Sequence, residues 1–177
     1  MAKSRSAYHS LSGYRYQFDK AIVTISEASR NESVTMEGIE DIDVGSHDFI
    51  QCKYHATKKY TPSSIRKPIM EFLRHYIDNR GQSIQPQYTL YAHFSDIQTQ
   101  SPISSHDIIS MIQNHHEEHH ITIVELQKFV SDHLRVKIGP NLEDQEKLAK
   151  NAKRHAQKTN SKIHASPVVI MSEIRKA

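Results

Sequence analysis

Residues 37–55, with the sequence EGIEDIDVGSHDFIQCKYH, constrain the fold of this chain most. They predict two short strands joined by a glycine-containing turn at residues 44–48, and strand side chains alternate between the faces of a sheet. The even-numbered positions are mainly apolar and suit a core: Ile42, Val44, Ile50, Cys52 and Tyr54. The odd-numbered positions, apart from Ile39 and Phe49, are polar: Glu37, Asp41, Asp43, Gln51 and Lys53.

The polar positions of the two strands face each other across this hairpin. A turn centred near position 46 places Asp41 opposite Gln51, and the same register sets Asp43 opposite Phe49. Opposed Cβ atoms lie roughly 4.5–5.5 Å apart, and Gln51 and Lys53 are separated by about 6.6 Å along their strand. A carboxylate, an amide oxygen and an ammonium group therefore converge on one spot, which suits a hard cation and a reacting phosphate.

The composition is that of one water-soluble domain. The chain has 177 residues, a mean hydropathy of −0.64 and a net charge of +3. No apolar run approaches the ~18 residues of a membrane helix, and the first ten residues lack the apolar segment of a signal peptide. The single cysteine, Cys52, fits a reducing compartment, so we expect a cytoplasmic protein without a membrane partner.

The first helix is predicted from a cap at Ser10 or Ser12 to about Ser29. Its apolar residues recur at helical spacing and predict the buried stripe Leu11, Tyr14, Phe18, Ala21, Ile22, Ile25 and Ala28. Gln17 falls at the edge of this stripe, where it can face a site beside the core.

Later segments alternate between helical and strand patterns. We predict helices at residues 65–78, from the cap at 104 or 105 through 112 into the polar tract 114–120, at 123–134 and at 142–158, and strands at residues 34–36, 87–94 and 167–171. Ser104 or Ser105 caps the second of these helices, and Pro68 lies in the first turn of the helix at 65–78. Together these elements predict one α/β domain, in which helices flank a central mixed sheet.

Three groups of residues resemble a known superfamily. They are Gly13-Tyr14-x-Tyr16-Gln17, Glu37-x-x-Glu40-Asp41 and Gln51-x-Lys53. The combination resembles the PD-(D/E)xK, or restriction-endonuclease-like, nuclease domain of bacterial anti-phage effectors in CBASS, Lamassu and Avs systems, here as a Gln-x-Lys variant. The resemblance covers residues 12–76. It implies a restriction-endonuclease-like domain over residues 1–177, with its core at 12–100 and its C-terminal helices and last strand at 104–177.

The resemblance also implies roles for individual residues. Asp41 becomes the metal-binding acid, Gln51 the second metal ligand and Lys53 the catalytic lysine, while Glu37 and Gln17 match further positions of the family's site. The chain departs from the family pattern in two ways. No proline precedes Asp41, and Gln51 replaces the acid of the superfamily name. An amide oxygen can coordinate Mg²⁺ without contributing charge, which lowers metal affinity or the number of ions bound.

The implied function is Mg²⁺-dependent hydrolysis of double-stranded DNA in anti-phage defence, with Mn²⁺ as a possible substitute. The implied partners are DNA and either a second copy or a sensor subunit of the SMC or ATPase kind. Four cations follow the second hairpin strand and are candidates for DNA contact: Lys58, Lys59, Arg66 and Lys67. The alternative is an inactive nuclease fold that binds nucleic acid or a partner subunit.

A histidine-rich tract at residues 114–120, NHHEEHH, suggests a different site. His116 and His120 match H-E-x-x-H, while His115 and His119 match the reversed H-x-x-E-H motif. A tract that matches both motifs is specific for neither, and it lies at a polar helix end. We therefore favour a solvated helix terminus, and a zinc hydrolase centred on His116 and His120 is the alternative.

Overall fold

Five strands form one mixed sheet whose spatial order is their order in the chain. In the computed structural model, which describes residues 2–29, 31–97, 103–115 and 121–158, they are β1 (Val34–Met36), β2 (Ile42–Val44), β3 (Asp48–His55), β4 (Gln87–Phe94) and β5 (Leu134–Ile138). β1, β2 and β3 are antiparallel neighbours, whereas β3, β4 and β5 run parallel. The mixed sheet predicted from the sequence is confirmed.

Helices cover both faces of this sheet. They are α1 (Ala2–Glu27), α2 (Pro62–Asn79), α3 (Ser105–Ile112), α4 (Ile123–Lys128) and α5 (Leu142–Lys158). α1 packs on β3 and on α5, while α2, α3 and α4 contribute to the main core against β4. None of the helices in the described part of the chain is both long and apolar enough to span a membrane.

The hairpin has the predicted register. Asp43 pairs with Phe49 and Ile42 with Ile50, so the turn lies where the sequence places it. β1 pairs with the free edge of β2 and extends the hairpin to three strands. Residues 37–41, however, form an irregular loop between β1 and β2 rather than a strand arm. Glu37 and Asp41 are therefore placed by loop geometry instead of strand alternation, whereas Asp43 lies on β2.

The main core lies on the face of β3 that the sequence pattern assigned to polar residues. Phe49 is buried there against Tyr88 of β4, at a ring-centroid distance of 5.8 Å, and Phe72 of α2 packs on the same tyrosine. On the other face Cys52 and Tyr54 are only partly buried, beneath α1. Strands within a parallel sheet are covered on both sides, so neither face of β3 is left wholly to solvent.

α1 differs from its prediction in both its start and its buried side. It begins at Ala2, so neither Ser10 nor Ser12 caps it. Most of the predicted apolar stripe faces solvent: Leu11, Tyr14 and Phe18 are 68%, 63% and 56% exposed. Tyr16 is buried instead, since its ring packs on those of Tyr54 and Tyr91 at 5.0 and 5.6 Å. Aromatic packing on the sheet determines which side of α1 is buried.

Near the C-terminus one helix was predicted too long and one strand was missed. α4 ends at Lys128 and continues as a π-helical turn, Phe129–His133, and Leu134 then begins β5.

α2 starts after Thr61, so Pro68 lies inside the helix and not in its first turn. The strand β4, the Ser104 cap of α3 and the bounds of α5 agree with the prediction. The predicted strand at 167–171 lies outside the described residues.

Candidate metal and phosphate site

The loop between β1 and β2 is held in place by the carboxylate of Asp43. Asp43 Oδ2 accepts a hydrogen bond from the backbone N–H of Ile39 at 2.7 Å, and Oδ1 accepts one from Glu40 N–H at 3.0 Å. Gly38 packs directly on this carboxylate, and a Cβ atom at that position would overlap Asp43 Oδ2. Asp43 therefore supports the loop, and both of its oxygens are engaged in doing so.

Asp41, the predicted metal-binding acid, connects this loop to β3. Its Oδ2 accepts a hydrogen bond from the backbone N–H of Cys52 at 2.7 Å. Within the described part of the chain, Oδ1 has no hydrogen-bond partner. Burial raises the pKa of Asp41, although the Cys52 N–H and the Lys53 ammonium favour the ionised form. One oxygen thus fixes the side chain, and the other remains for a ligand.

Gln51, the predicted second ligand, has one satisfied end and one unsatisfied end. Its Nε2 donates a hydrogen bond to Glu40 Oε2 at 3.1 Å. Its Oε1 is buried and has no hydrogen-bond partner among the described residues. A buried polar atom without a partner costs about 1–3 kcal/mol, and such atoms are uncommon in native proteins unless a ligand or water satisfies them. The amide oxygen is therefore available to a cation.

Lys53 lies two residues beyond Gln51 on β3, so both side chains project from the same face of the sheet. Its ammonium charge opposes the raised pKa values of both Asp41 and Glu40, which burial chiefly causes. Asp41 is joined to β3 by its hydrogen bond to Cys52 N–H, and Gln51 is joined to the loop by its hydrogen bond to Glu40. Cys52, on the opposite face, has its thiol pKa raised to about 12, chiefly by burial, and is no nucleophile.

Glu40 belongs to this site, although the sequence analysis did not assign it a role. Burial and the neighbouring Asp41 and Glu71 raise its pKa to about 7, against the opposing effect of Lys53. Strand alternation predicted that Glu40 and Asp41 point to opposite faces. The loop instead brings both beside β3. The one signal in the sequence was its place in the Glu37-x-x-Glu40-Asp41 group.

Glu37 and Gln17 are the two remaining residues that the resemblance assigned to the site. Glu37 is exposed in a left-handed conformation, with a φ of 57°, and its N–H donates to Asp41 O at 3.2 Å. Its charge contributes to the raised pKa of Asp41, so it borders the site. Gln17 is buried on α1, with an unpartnered Nε2. α1 packs on the face of β3 that carries Tyr54, opposite to Gln51.

The four candidate DNA-binding cations lie just beyond the end of β3. All are exposed, and they are Lys58, Lys59, Arg66 and Lys67. The loop that carries Lys58 is fixed to the end of β4, because Ser95 donates hydrogen bonds from N and Oγ to Lys58 O, both at 3.1 Å. Lys67 lies 3.8 Å from the carboxylate of Glu71, which offsets part of its charge. These residues, here called the post-β3 cations, present positive charge next to the site strand.

Acidic and histidine side chains alone do not form a metal site in the described part of the chain, where no group of three or more His, Cys, Asp or Glu side chains could hold an ion. The candidate ligands are instead Asp41 Oδ1 and Gln51 Oε1. His116 and His120 lie outside the described residues. No family model, curated protein or solved structure matches this chain. Its function must therefore be inferred from the geometry of this site.

Proposed function

We propose that this chain is a metal-dependent DNA endonuclease of the PD-(D/E)xK kind, acting as an effector of anti-phage defence. One observation carries the proposal. The buried Oε1 of Gln51 has no partner among the described residues, Gln51 shares its strand with Lys53, and the carboxylate of Asp41 is bonded to the backbone of the same strand at Cys52. Hard oxygen donors beside an ammonium group are what phosphodiester hydrolysis requires. A mixed sheet flanked by helices supports a restriction-endonuclease-like fold.

The residues present fit Mg²⁺, with Mn²⁺ as a substitute. Asp41 and Gln51 would hold the ion, since magnesium usually takes one or two protein carboxylates and completes its shell with water and substrate phosphate. When bound, the ion supplies an activated water and neutralises charge on the phosphate. Lys53, two residues from Gln51 on the same face of β3, would stabilise charge that develops on the phosphate oxygens. Asp43 keeps the loop in place through its two backbone hydrogen bonds.

Double-stranded DNA is the substrate that the surface favours. The post-β3 cations are exposed on the loop after β3 and on the first half of α2. Contacts from lysine and arginine to phosphates supply most of the sequence-independent affinity of DNA-binding proteins. A strand of duplex DNA that crossed these cations would bring its backbone to the end of β3, near Lys53.

The alternative function is that of an inactive nuclease fold that binds nucleic acid or a partner subunit. The absence of a three-residue acidic or histidine cluster from the described residues favours it. An inactive fold that binds nucleic acid also predicts DNA binding, so DNA binding alone does not separate the two functions. Metal binding separates them. An active site binds Mn²⁺ more tightly with Asp41 than with Asn at this position, whereas an inactive site that cannot bind metal shows no such difference.

Cleavage and metal binding together test the proposal. Purified protein is incubated with plasmid DNA and Mg²⁺ or Mn²⁺, with EDTA as control, and Mn²⁺ binding is measured in parallel by calorimetry. Lys53→Ala is expected to reduce cleavage by at least ~10²-fold while Mn²⁺ affinity stays nearly unchanged, and Asp41→Asn to reduce both. Full metal-dependent cleavage by Lys53→Ala would show that the site lies elsewhere. A parent protein that binds DNA but neither Mn²⁺ nor Mg²⁺ would support the inactive alternative.

We further propose that the chain acts with a second copy or a sensor subunit. The support is the exposed side of α1, where Leu11, Tyr14 and Phe18 lie at spacings of three and four residues and form one apolar stripe. Light scattering of the purified chain distinguishes the two partners. A dimer that Phe18→Glu dissociates identifies a second copy, whereas a monomeric parent leaves this face to a separate subunit.

A further inference from the structure

The Gln51 amide has two ends of nearly the same shape, and only one of them can bind a metal ion. Its oxygen is an acceptor and a possible ligand, while its NH₂ group is a donor and repels a cation. In the structure the NH₂ end faces Glu40, at 3.1 Å from Oε2, and the oxygen end is buried without a partner among the described residues. The orientation of this amide therefore decides whether the site can bind a metal.

We infer that Glu40 is a positioning residue, which turns Gln51 Oε1 toward the metal position by accepting the hydrogen bond from Nε2. This inference rests on the proposed function. When the Glu40 carboxyl group is ionised it has no proton to donate, so in that form it selects the NH₂ end of the amide and rejects the oxygen end. Without Glu40, the amide has no hydrogen-bond partner among the described residues to prevent a half-turn about its last torsion, which would present NH₂ to the ion.

Glu40 is itself held well enough to perform this task. Its backbone N–H donates to Asp43 Oδ1 at 3.0 Å, and the neighbouring Ile39 N–H donates to the other oxygen of Asp43. Its side chain is partly buried beside β3. Loop, carboxylate and amide thus form a connected series of hydrogen bonds from Asp43 through Glu40 to Gln51. Outer-shell partners of this kind typically contribute about 10–100-fold to metal affinity.

A competing explanation is that Glu40 acts only through its negative charge. Glu71 supplies a test of that explanation. Its negative charge contributes to the raised pKa of Glu40, but no hydrogen bond joins Glu71 to Gln51 in the described part of the chain. A second test uses position 51 itself. A carboxylate there has an oxygen at each end, so its orientation no longer matters, and a purely electrostatic effect of Glu40 would persist.

The experiment is a double-mutant cycle in Mn²⁺ affinity, measured by calorimetry on the parent, Glu40→Ala, Gln51→Glu and the double variant. Thermal melts of each check that the protein is folded, and Glu71→Ala is the charge control. Glu40→Ala is expected to weaken Mn²⁺ binding by about 10–100-fold when residue 51 is Gln, and only a few-fold when it is Glu. Glu71→Ala should change the affinity no more than a few-fold.

The possible results are distinct. An equal loss from Glu40→Ala in both backgrounds, or a comparable loss from Glu71→Ala, would overturn the positioning role in favour of charge alone. No loss in either background would also overturn it. A folded parent that binds no Mn²⁺ would refute the proposed metal site itself, before the question of Glu40 arises.

Discussion

The structure gives two neighbouring acids, Asp41 and Asp43, different tasks, and substitution can separate them. Asp43→Ala removes the acceptor of two backbone donors, Ile39 N–H and Glu40 N–H. Each unsatisfied donor costs about 1–3 kcal/mol. The loop is partly exposed, so water compensates part of this cost, and we expect a loss of about 2–4 kcal/mol in total. At about 2–4 °C per kcal/mol for a domain of this size, the melting temperature should fall by about 4–16 °C.

Asp41→Asn should behave in the opposite way. The asparagine oxygen can still accept the hydrogen bond from Cys52 N–H, which Asp41 Oδ2 accepts at 2.7 Å in the parent. Stability should therefore remain within about 0.5–1 kcal/mol of the parent, while Mn²⁺ affinity and cleavage fall because the charged ligand is lost. Asp41→Ala is a poorer test, since it leaves the Cys52 N–H without a partner and combines both effects.

Thermal and urea unfolding, followed by circular dichroism, measure the first effect, and calorimetry with Mn²⁺ measures the second. Urea midpoints at equal slope convert to free energies without relying on the melting temperature. If Asp43→Ala unfolded at the same temperature and urea concentration as the parent, the two hydrogen bonds would not hold the loop. If Asp41→Asn were strongly destabilised but still bound Mn²⁺ like the parent, the assignment of tasks would be reversed.

Three other predictions concern residues around the site. Neutralising two post-β3 cations should make DNA affinity less dependent on salt. The slope of log affinity against log salt concentration should become shallower by roughly 0.9 for each phosphate contact that is lost. An unchanged slope would mean that these cations are only solvated. Cys52, whose thiol pKa burial raises to about 12, should react with iodoacetamide at pH 8 only after unfolding, so rapid alkylation of the folded chain would contradict its burial. His116→Ala with His120→Ala should leave cleavage within a few-fold of the parent, and its loss with folding intact would move the site to the histidine tract.

Strand periodicity predicted the hairpin well, because the turn and the register follow from alternation. The pairing of Asp43 with Phe49 was predicted from the sequence alone. The same alternation failed for residues 37–41, since Glu37 adopts a left-handed conformation and the backbone leaves the strand geometry. Periodicity carries no information about a loop, so neither the supporting role of Asp43 nor the contact between Glu40 and Gln51 was predictable.

The packing of α1 and the strand β5 were missed for a different reason. A helix pattern records which residues are apolar, but Tyr16 is buried because its ring packs on Tyr54 and Tyr91, which are distant in the sequence. β5 has an alternating sequence, LRVKI, with Leu134 and Ile138 buried at its ends. The apolar spacing of the preceding helix continues as far as Leu134, so the helical pattern concealed the start of the strand.

The site therefore has two halves that differ in how firmly they are held. Gln51 and Lys53 lie on β3, whose backbone pairs with β4 along its whole length and with β2 at its start, so their positions are fixed by the sheet. Glu40 and Asp41 lie on an irregular loop, and their positions depend on a few side-chain hydrogen bonds. Substitution of Glu40 in the loop should consequently affect metal binding through geometry, whereas substitution of the proposed ligands Asp41 and Gln51 should affect it through the loss of the functional group itself.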